Sequence, residues 1–315
     1  MDFILLAHWN GRFGNRMHQY AYGATYSKIN NVKFILPSDW EGTKLFKNQI
    51  HEICDNKEAK LHVNQSKKPF DSIDYRTFAL KKYLDPNIKK INPVNFKENY
   101  SKQNTNVFFD DMCAYNECVF NKMSKKHLKY IFELSDEVKN LDIYKRLEDK
   151  QGSYDIAHLR RDDISNAEYN QKNHQGYSVV SKESYFKAFK EYGFDKDKML
   201  WVSDDYKKQW HKEKDTTKKK LGWKYPVGSE YSPDMVFDWL EDWLTLYFAR
   251  TIFRANSSFS WWAAFLSPTA KIYSPVLDKQ IIYGVDGLKE LDINFIEGNH
   301  PHWMYNNTDI NIKDE

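Results

Sequence analysis

The sequence predicts an α/β fold in two halves, each built on a parallel sheet. Residues 3–36 run strand, glycine turn, helix, strand, which is how an α/β unit opens. From 155 to 275, short apolar strand candidates again alternate with helical stretches, a pattern of parallel sheets rather than hairpins. Between the two runs stands Gln151-Gly152-Ser153, a turn-forming tripeptide that marks a boundary. The expected division is therefore 1–150, 151–290 and a tail, 291–315.

The elements follow in order. Residues 3–9 read as a buried first strand and Asn10 to Asn15 as a turn. Met17 to Ile29 reads as a helix with a small-and-aromatic face at Ala21, Tyr22, Ala24, Thr25 and Tyr26. Val32 to Leu36 forms the next strand, closed by Pro37. The stretch 50–110, rich in Lys and Asn and broken by Pro69, Pro86 and Pro93, carries no legible period, whereas 123–148 returns to a helical one. In the second half, strands are expected at Asp155–Leu159, Met199–Val202, Thr251–Ala255 and Lys271–Ser274. Helices are expected at Lys182–Tyr192 and Asp238–Ala249, with another starting at Trp261 after a polar turn, Asn256–Ser260. The basic run from Lys212 to Lys224 is interrupted by Glu213 and Asp215 and reads as a solvated loop.

Composition narrows the class. With 20 Phe, 21 Tyr and 10 Trp, the 315 residues can build two cores. A net charge of +3 with acidic and basic residues nearly balanced gives no case for a nucleic-acid partner. Cys54, Cys113 and Cys118 form neither a disulfide framework nor a zinc pattern, so free thiols in a reducing compartment are expected. Phe3–Ala7 is too short for a membrane span or a signal sequence. A cytoplasmic protein is the expectation. The sequon at Asn256 agrees, because a glycan there would block the site described next.

In open parallel sheets ligands bind at the carboxyl ends of strands. Three polar clusters fall at such ends: His158–Asp163, Ser203–Asp205 and Asn256–Ser260. One shared pocket is the economical interpretation. Arg160 and Arg161 leave a buried strand together, and a guanidinium fork suits phosphate oxygens, above all on a pyrophosphate that gains charge as it leaves. An Arg–Asp ion pair bracing the loop is the alternative, and this segment alone does not choose. Asn256, Ser257, Ser258, Phe259 and Ser260 offer hydroxyls and helix-start N–H groups, an anion cradle or an ordinary serine cap. Asp204 and Asp205 can accept from a guanine or a ribose, cap a helix, or form half of a metal site. Gly11 to Asn15 is an incomplete dinucleotide fingerprint, but a tight turn there would bring Gly14 and Asn15 near a ligand.

Taken together, these segments resemble the α1,2-fucosyltransferase family and its relatives, the α1,6- and protein O-fucosyltransferases. The family's opening glycine–asparagine segment is matched by Gly11 to Ala21, its His-x-Arg-Arg-x-Asp motif by His158, Arg160, Arg161 and Asp163, its Ser-Asp-Asp by Ser203–Asp205. The closing pattern is matched from Ala255 to Leu266. Asp162 stands where the family usually has glycine, Arg16 replaces a glutamine, and Arg12-Phe13 is closer to the protein O-fucosyltransferases.

The resemblance implies a GT-B-like enzyme: two Rossmann-like domains with a cleft between them, and inverting transfer from GDP-fucose to a glycan hydroxyl, α1,2 to a terminal sugar. No cofactor and no metal are expected. By similarity Arg160 meets the leaving β-phosphate, Arg161 and Ser258–Ser260 help hold the diphosphate, and His158, Asp204 and Asp205 hold the nucleoside. Asn15 would reach the donor from the first domain. The acceptor hydroxyl must lose a proton, and Asp163, His174 and Glu230 are the candidate bases. Rival readings are the same fold with another GDP-deoxyhexose, an inactive glycan-binding module, and an NAD-dependent enzyme, which the incomplete fingerprint disfavours.

Overall fold

The computed structural model of the chain describes residues 3–6, 9, 12–37, 40–54, 89–90, 106–109, 123–160, 179–203, 237, 239–276, 290–291 and 293–300. The chain forms two compact units, one of Met1–Glu137 with Ile310–Glu315 and one of Val138–Asp309. Both are α/β and both carry the parallel sheet that the sequence predicts.

In the first unit the strands are β1 (Phe3–Leu6), β2 (Lys33–Pro37), β3 (His51–Cys54), β4 (Lys89–Lys90) and β5 (Asn106–Phe109). They lie in the order β3-β2-β1-β5-β4, every pair parallel. β1 is flanked on both sides, so Ile4, Leu5 and Leu6 are all fully buried, and no alternation of polar residues is seen. Helix α1 (Phe13–Asn30) packs on β1 and β2. It begins four residues earlier than the apolar period suggests, because Arg12 is its N-cap without a side-chain bond, and nothing in the sequence signals the start. It ends at Asn31, whose left-handed backbone (φ 53) returns its N–H to Ser27 O. Gly23 is required where α1 crosses β2: a Cβ there would lie 2.2 Å from the Phe34 ring. Short helices α2 (Gly42–Leu45) and α3 (Lys125–Ile131) complete this unit, and α4 (Asp136–Lys139) spans the division. An aromatic core joins them, with Tyr20 set 5.3 Å from Phe34 and 5.1 Å from Trp40.

In the second unit, α5 (Asp142–Glu148) precedes β6 (Asp155–Leu159), and β7 (Val179–Val180) leads into α6 (Lys182–Glu191) and β8 (Leu200–Ser203). Then come α7 (Leu240–Tyr247), β9 (Thr251–Phe253), α8 (Ser258–Leu266), β10 (Lys271–Pro275), β11 (Glu290–Leu291) and β12 (Phe295–Glu297). The main sheet runs β12-β10-β9-β6-β8, parallel except for the antiparallel edge strand β12. β7 and β11 form a separate parallel pair.

Alternation along the strands sorts the two faces. Ala157, Leu159, Phe253 and Tyr273 join Tyr185 and Phe189 of α6 in one cluster, with Phe253 stacked on Tyr273 at 4.6 Å. Ile156, His158, Ile252 and Arg254 have the opposite parity and are buried too, so the sheet is covered on both sides. Helices α7 and α8 pack against each other, and α7 also against α5. At its amino end β6 is pinned by a bidentate pair from Arg250 to Asp155, at 3.0 and 2.6 Å. No helix among the described residues is long and apolar enough to cross a membrane.

Candidate functional site

The sheet order of the second unit, with β8 and β10 on opposite sides of the β6–β9 pair, reverses direction between β6 and β9. That is a topological switch point, and in open parallel sheets ligands bind outside the carboxyl ends of the strands at such a point. The segments leaving these strands are those singled out from the sequence. Leu159 closes β6 and Arg160 follows it; Phe253 closes β9, and four residues later α8 begins at Ser258.

The two segments meet. Arg160 donates from Nη1 to the backbone oxygen of Asn256 at 3.3 Å, which ties the guanidinium to the turn that starts α8. His158 is buried, and its ring lies 5.8 Å from that of Phe259 in the first turn of α8. Trp239 meets Phe259 edge-on at 6.0 Å and is itself stacked on Phe237. Asn256, Ser257, Ser258 and Ser260 are all buried.

The start of α8 lies three residues earlier than Trp261, where the sequence places it. The reason is local. Ser257 is the N-cap: its backbone is extended (φ −155, ψ 130) and its Oγ accepts from Phe259 N at 3.3 Å. Ser258, Phe259 and Ser260 therefore form the first helical turn rather than a loop, and Ser260 Oγ folds back to Ser257 O at 3.2 Å. A first turn directs its N–H groups outward along the axis and carries the positive end of the helix dipole. With Arg160 beside it, positive charge gathers at this end of the two strands.

The remaining predicted residues fall elsewhere. Ser203, buried, ends β8 beside Leu159 in register, so the segment that follows leaves from the same edge of the sheet. Asp204 and Asp205 themselves, with Arg161, Asp163, His174 and Glu230, lie outside the described residues. Gly14 and Asn15 belong to the first unit and sit in the first turn of α1, not in a free turn; Asn15 N donates to Arg12 O at 2.9 Å. Beside them Arg16 pairs with Glu41 at 3.0 Å.

Two residues of the site escape a sequence reading. Tyr185 of α6, fully buried, directs its hydroxyl to His158 O at 2.6 Å and lies 3.4 Å from Arg254 O, bracing the ends of β6 and β9 at the switch point. Arg254 is wholly buried immediately after β9. Its signal was available: a cation inside the apolar run Thr251–Ala255, at the ligand-binding edge of a sheet.

No family model matches the chain, and no curated protein matches it. Among solved structures it is similar to the NodZ α1,6-fucosyltransferase soaked with GDP-fucose, NodZ being from Bradyrhizobium, with 14% identity and a TM-score of 0.48 over 94% of this chain and 99% of that one. It is also similar to POFUT1 in its apo form, with 12% identity and a TM-score of 0.46 over 86% and 97% of the two chains. A third is a mutant Arabidopsis thaliana FUT1 in complex with GDP, with 10% identity and a TM-score of 0.40 over 90% and 72%.

Proposed function

We propose that the chain is an inverting, metal-independent fucosyltransferase that takes fucose from GDP-fucose and delivers it to a glycan hydroxyl, α1,2 to a terminal sugar. The observation that carries this reading is the bond from Arg160 to the Asn256 carbonyl at the β6/β9 switch point, beside the first turn of α8. A guanidinium held there, together with helix N–H groups, supplies positive charge where a diphosphate would sit. The motif resemblance supplies the identity of the nucleoside and the sugar.

The chemistry follows from that charge. The bond from the anomeric carbon to the β-phosphate oxygen breaks through an oxocarbenium-like state, and the acceptor oxygen bonds to the carbon from the opposite face. Arg160, Arg161 and the turn Ser258–Ser260 stabilise the departing GDP, with Asn256 and Ser257 shaping that turn. His158, Asp204 and Asp205 hold the nucleoside, and Gly14 and Asn15 serve the donor from the first unit. Asp163 or His174 accepts the proton of the acceptor hydroxyl. We place the enzyme in the cytosol, on the cysteine usage and on the sequon at Asn256, where a glycan would block the donor site.

The test is incubation with GDP-fucose, excess EDTA and acceptors ending in galactose, GlcNAc or rhamnose, followed by GDP release and by NMR of the product. Acceptor-dependent GDP release with an inverted anomeric centre is expected. No binding of GDP by the protein would overturn the donor-site reading, and release that EDTA abolishes would overturn its metal-independence.

A further inference from the structure

Arg254 is fully buried, yet no carboxylate among the described residues pairs with it. Nε and Nη2 donate to Ser274 Oγ of β10 at 3.2 and 2.7 Å, and Nη2 also donates to His300 O. Nη1 is buried and has no hydrogen-bond partner among the described residues. Burial pushes the guanidinium down to about 9, so it remains cationic at neutral pH. Among the described residues this buried cation is met only by a hydroxyl and a carbonyl, a costly arrangement, and a neutral side chain of similar length would fill the space at lower cost. Packing alone therefore does not account for a guanidinium here.

Its position suggests what does. Phe253 faces α6, so Arg254, the residue after β9, faces the other side of the sheet, the side on which His158 meets Phe259 of α8. The carbonyl it meets, His300 O, neighbours Asn299, which exchanges two 3.2 Å bonds with Trp261 of α8. Ser274 Oγ extends the network by donating to Gly298 O and accepting from His300 N. Along the chain, Ser258 is four residues away, about 14 Å even at full extension. Arg254 thus directly precedes the turn Ala255–Ser257 that leads into the first turn of α8, and its guanidinium bonds hold that point of the chain to β10 and His300.

We propose that Arg254 is a positioning residue for the anion bound at the start of α8: its fixed charge favours the anion, and its guanidinium ties the Ala255–Ser257 turn to β10 and to residues 298–300. The proposal rests on the donor-site reading above in taking that anion to be a diphosphate. Nothing in it requires the sugar or the base to be as proposed.

The experiment measures binding of inorganic pyrophosphate, GDP and guanosine to the full chain by calorimetry, in wild type, Arg254→Met, Arg254→Lys and Ser274→Ala. Losing the charge should weaken pyrophosphate and GDP about tenfold, with guanosine changed less than about twofold. The Lys variant should recover most of the anion affinity. Ser274→Ala, which keeps the charge but frees two of its N–H groups, should weaken pyrophosphate about threefold, and it carries the test if the Met variant does not fold. Unchanged pyrophosphate affinity in Arg254→Met, or in Ser274→Ala if that variant alone folds, overturns the proposal. So does a loss of guanosine binding in the same proportion, the mark of a merely structural role. Wild-type protein that binds pyrophosphate but does not turn over GDP-fucose would remove the fucosyltransferase reading and leave the Arg254 result standing. Wild-type protein that binds neither pyrophosphate nor GDP overturns both.

Discussion

Replacing Tyr185 with Phe removes one oxygen from the point where β6 and β9 end together. The ring would stay in place, because Phe189, Trp201 and Phe295 surround it with centroids 4.9 to 6.3 Å away. What is lost is the 2.6 Å bond to His158 O, in a group that is fully buried. Removing one partner of a buried hydrogen bond costs about 1–2 kcal/mol. For a unit of roughly 170 residues, with about 2.1 cal/mol/K of unfolding entropy per residue, that is a melting shift of about 3–6 °C. The assay is thermal and urea unfolding of the full chain, followed by far-UV circular dichroism and by tryptophan fluorescence. Because the hydroxyl also braces the strand that presents Arg160, kcat should fall more than KM rises. A melting point and kcat within error of wild type would refute the inference that Tyr185 sets the geometry of the switch point.

Two further outcomes are expected. Ser257→Ala removes the cap of α8 and should cost about 1 kcal/mol of stability while weakening GDP binding; retention of both in calorimetry and melting would contradict the cradle. In the first unit, burial pushes His51 and His127 down to about 4 and His18 to about 3 from an ordinary 6.5. These groups are neutral when folded but take up protons when unfolded. Their contribution is therefore present above about pH 6.5 and is lost as pH falls toward 4. Melting points between pH 7.5 and 4.5 should drop accordingly, and less steeply in His51→Gln; parallel curves for the two proteins would refute the assignment.

Much of the second unit could be read from its residues because buried parallel strands are short apolar runs. Asp155–Leu159 appears as expected, and the strands at β8, β9 and β10 are displaced by no more than two residues at either end. Helix starts were less legible. Arg12 carries no capping signal, and Ser257 was one serine among several until its hydroxyl was seen on Phe259 N. The strands β3, β4 and β5 were missed for a different reason. They are two to four residues long, and β3 is an edge strand that leaves Glu52 and Ile53 exposed, so no period could develop. The approach of Arg160 to Asn256 agrees with the single shared pocket expected from polar clusters at carboxyl ends of strands. The roles of Tyr185 and Arg254 could not be read in this way, because they depend on which strands lie side by side.

The most direct test of the central claim is GDP release from GDP-fucose by Arg160→Ala beside wild type, in EDTA, with GDP affinity measured on the same samples. A contact made mainly in the transition state should cost about 100-fold or more in rate while GDP affinity falls far less. A variant that turns over within a few-fold of wild type would contradict the assignment of Arg160 to the leaving diphosphate.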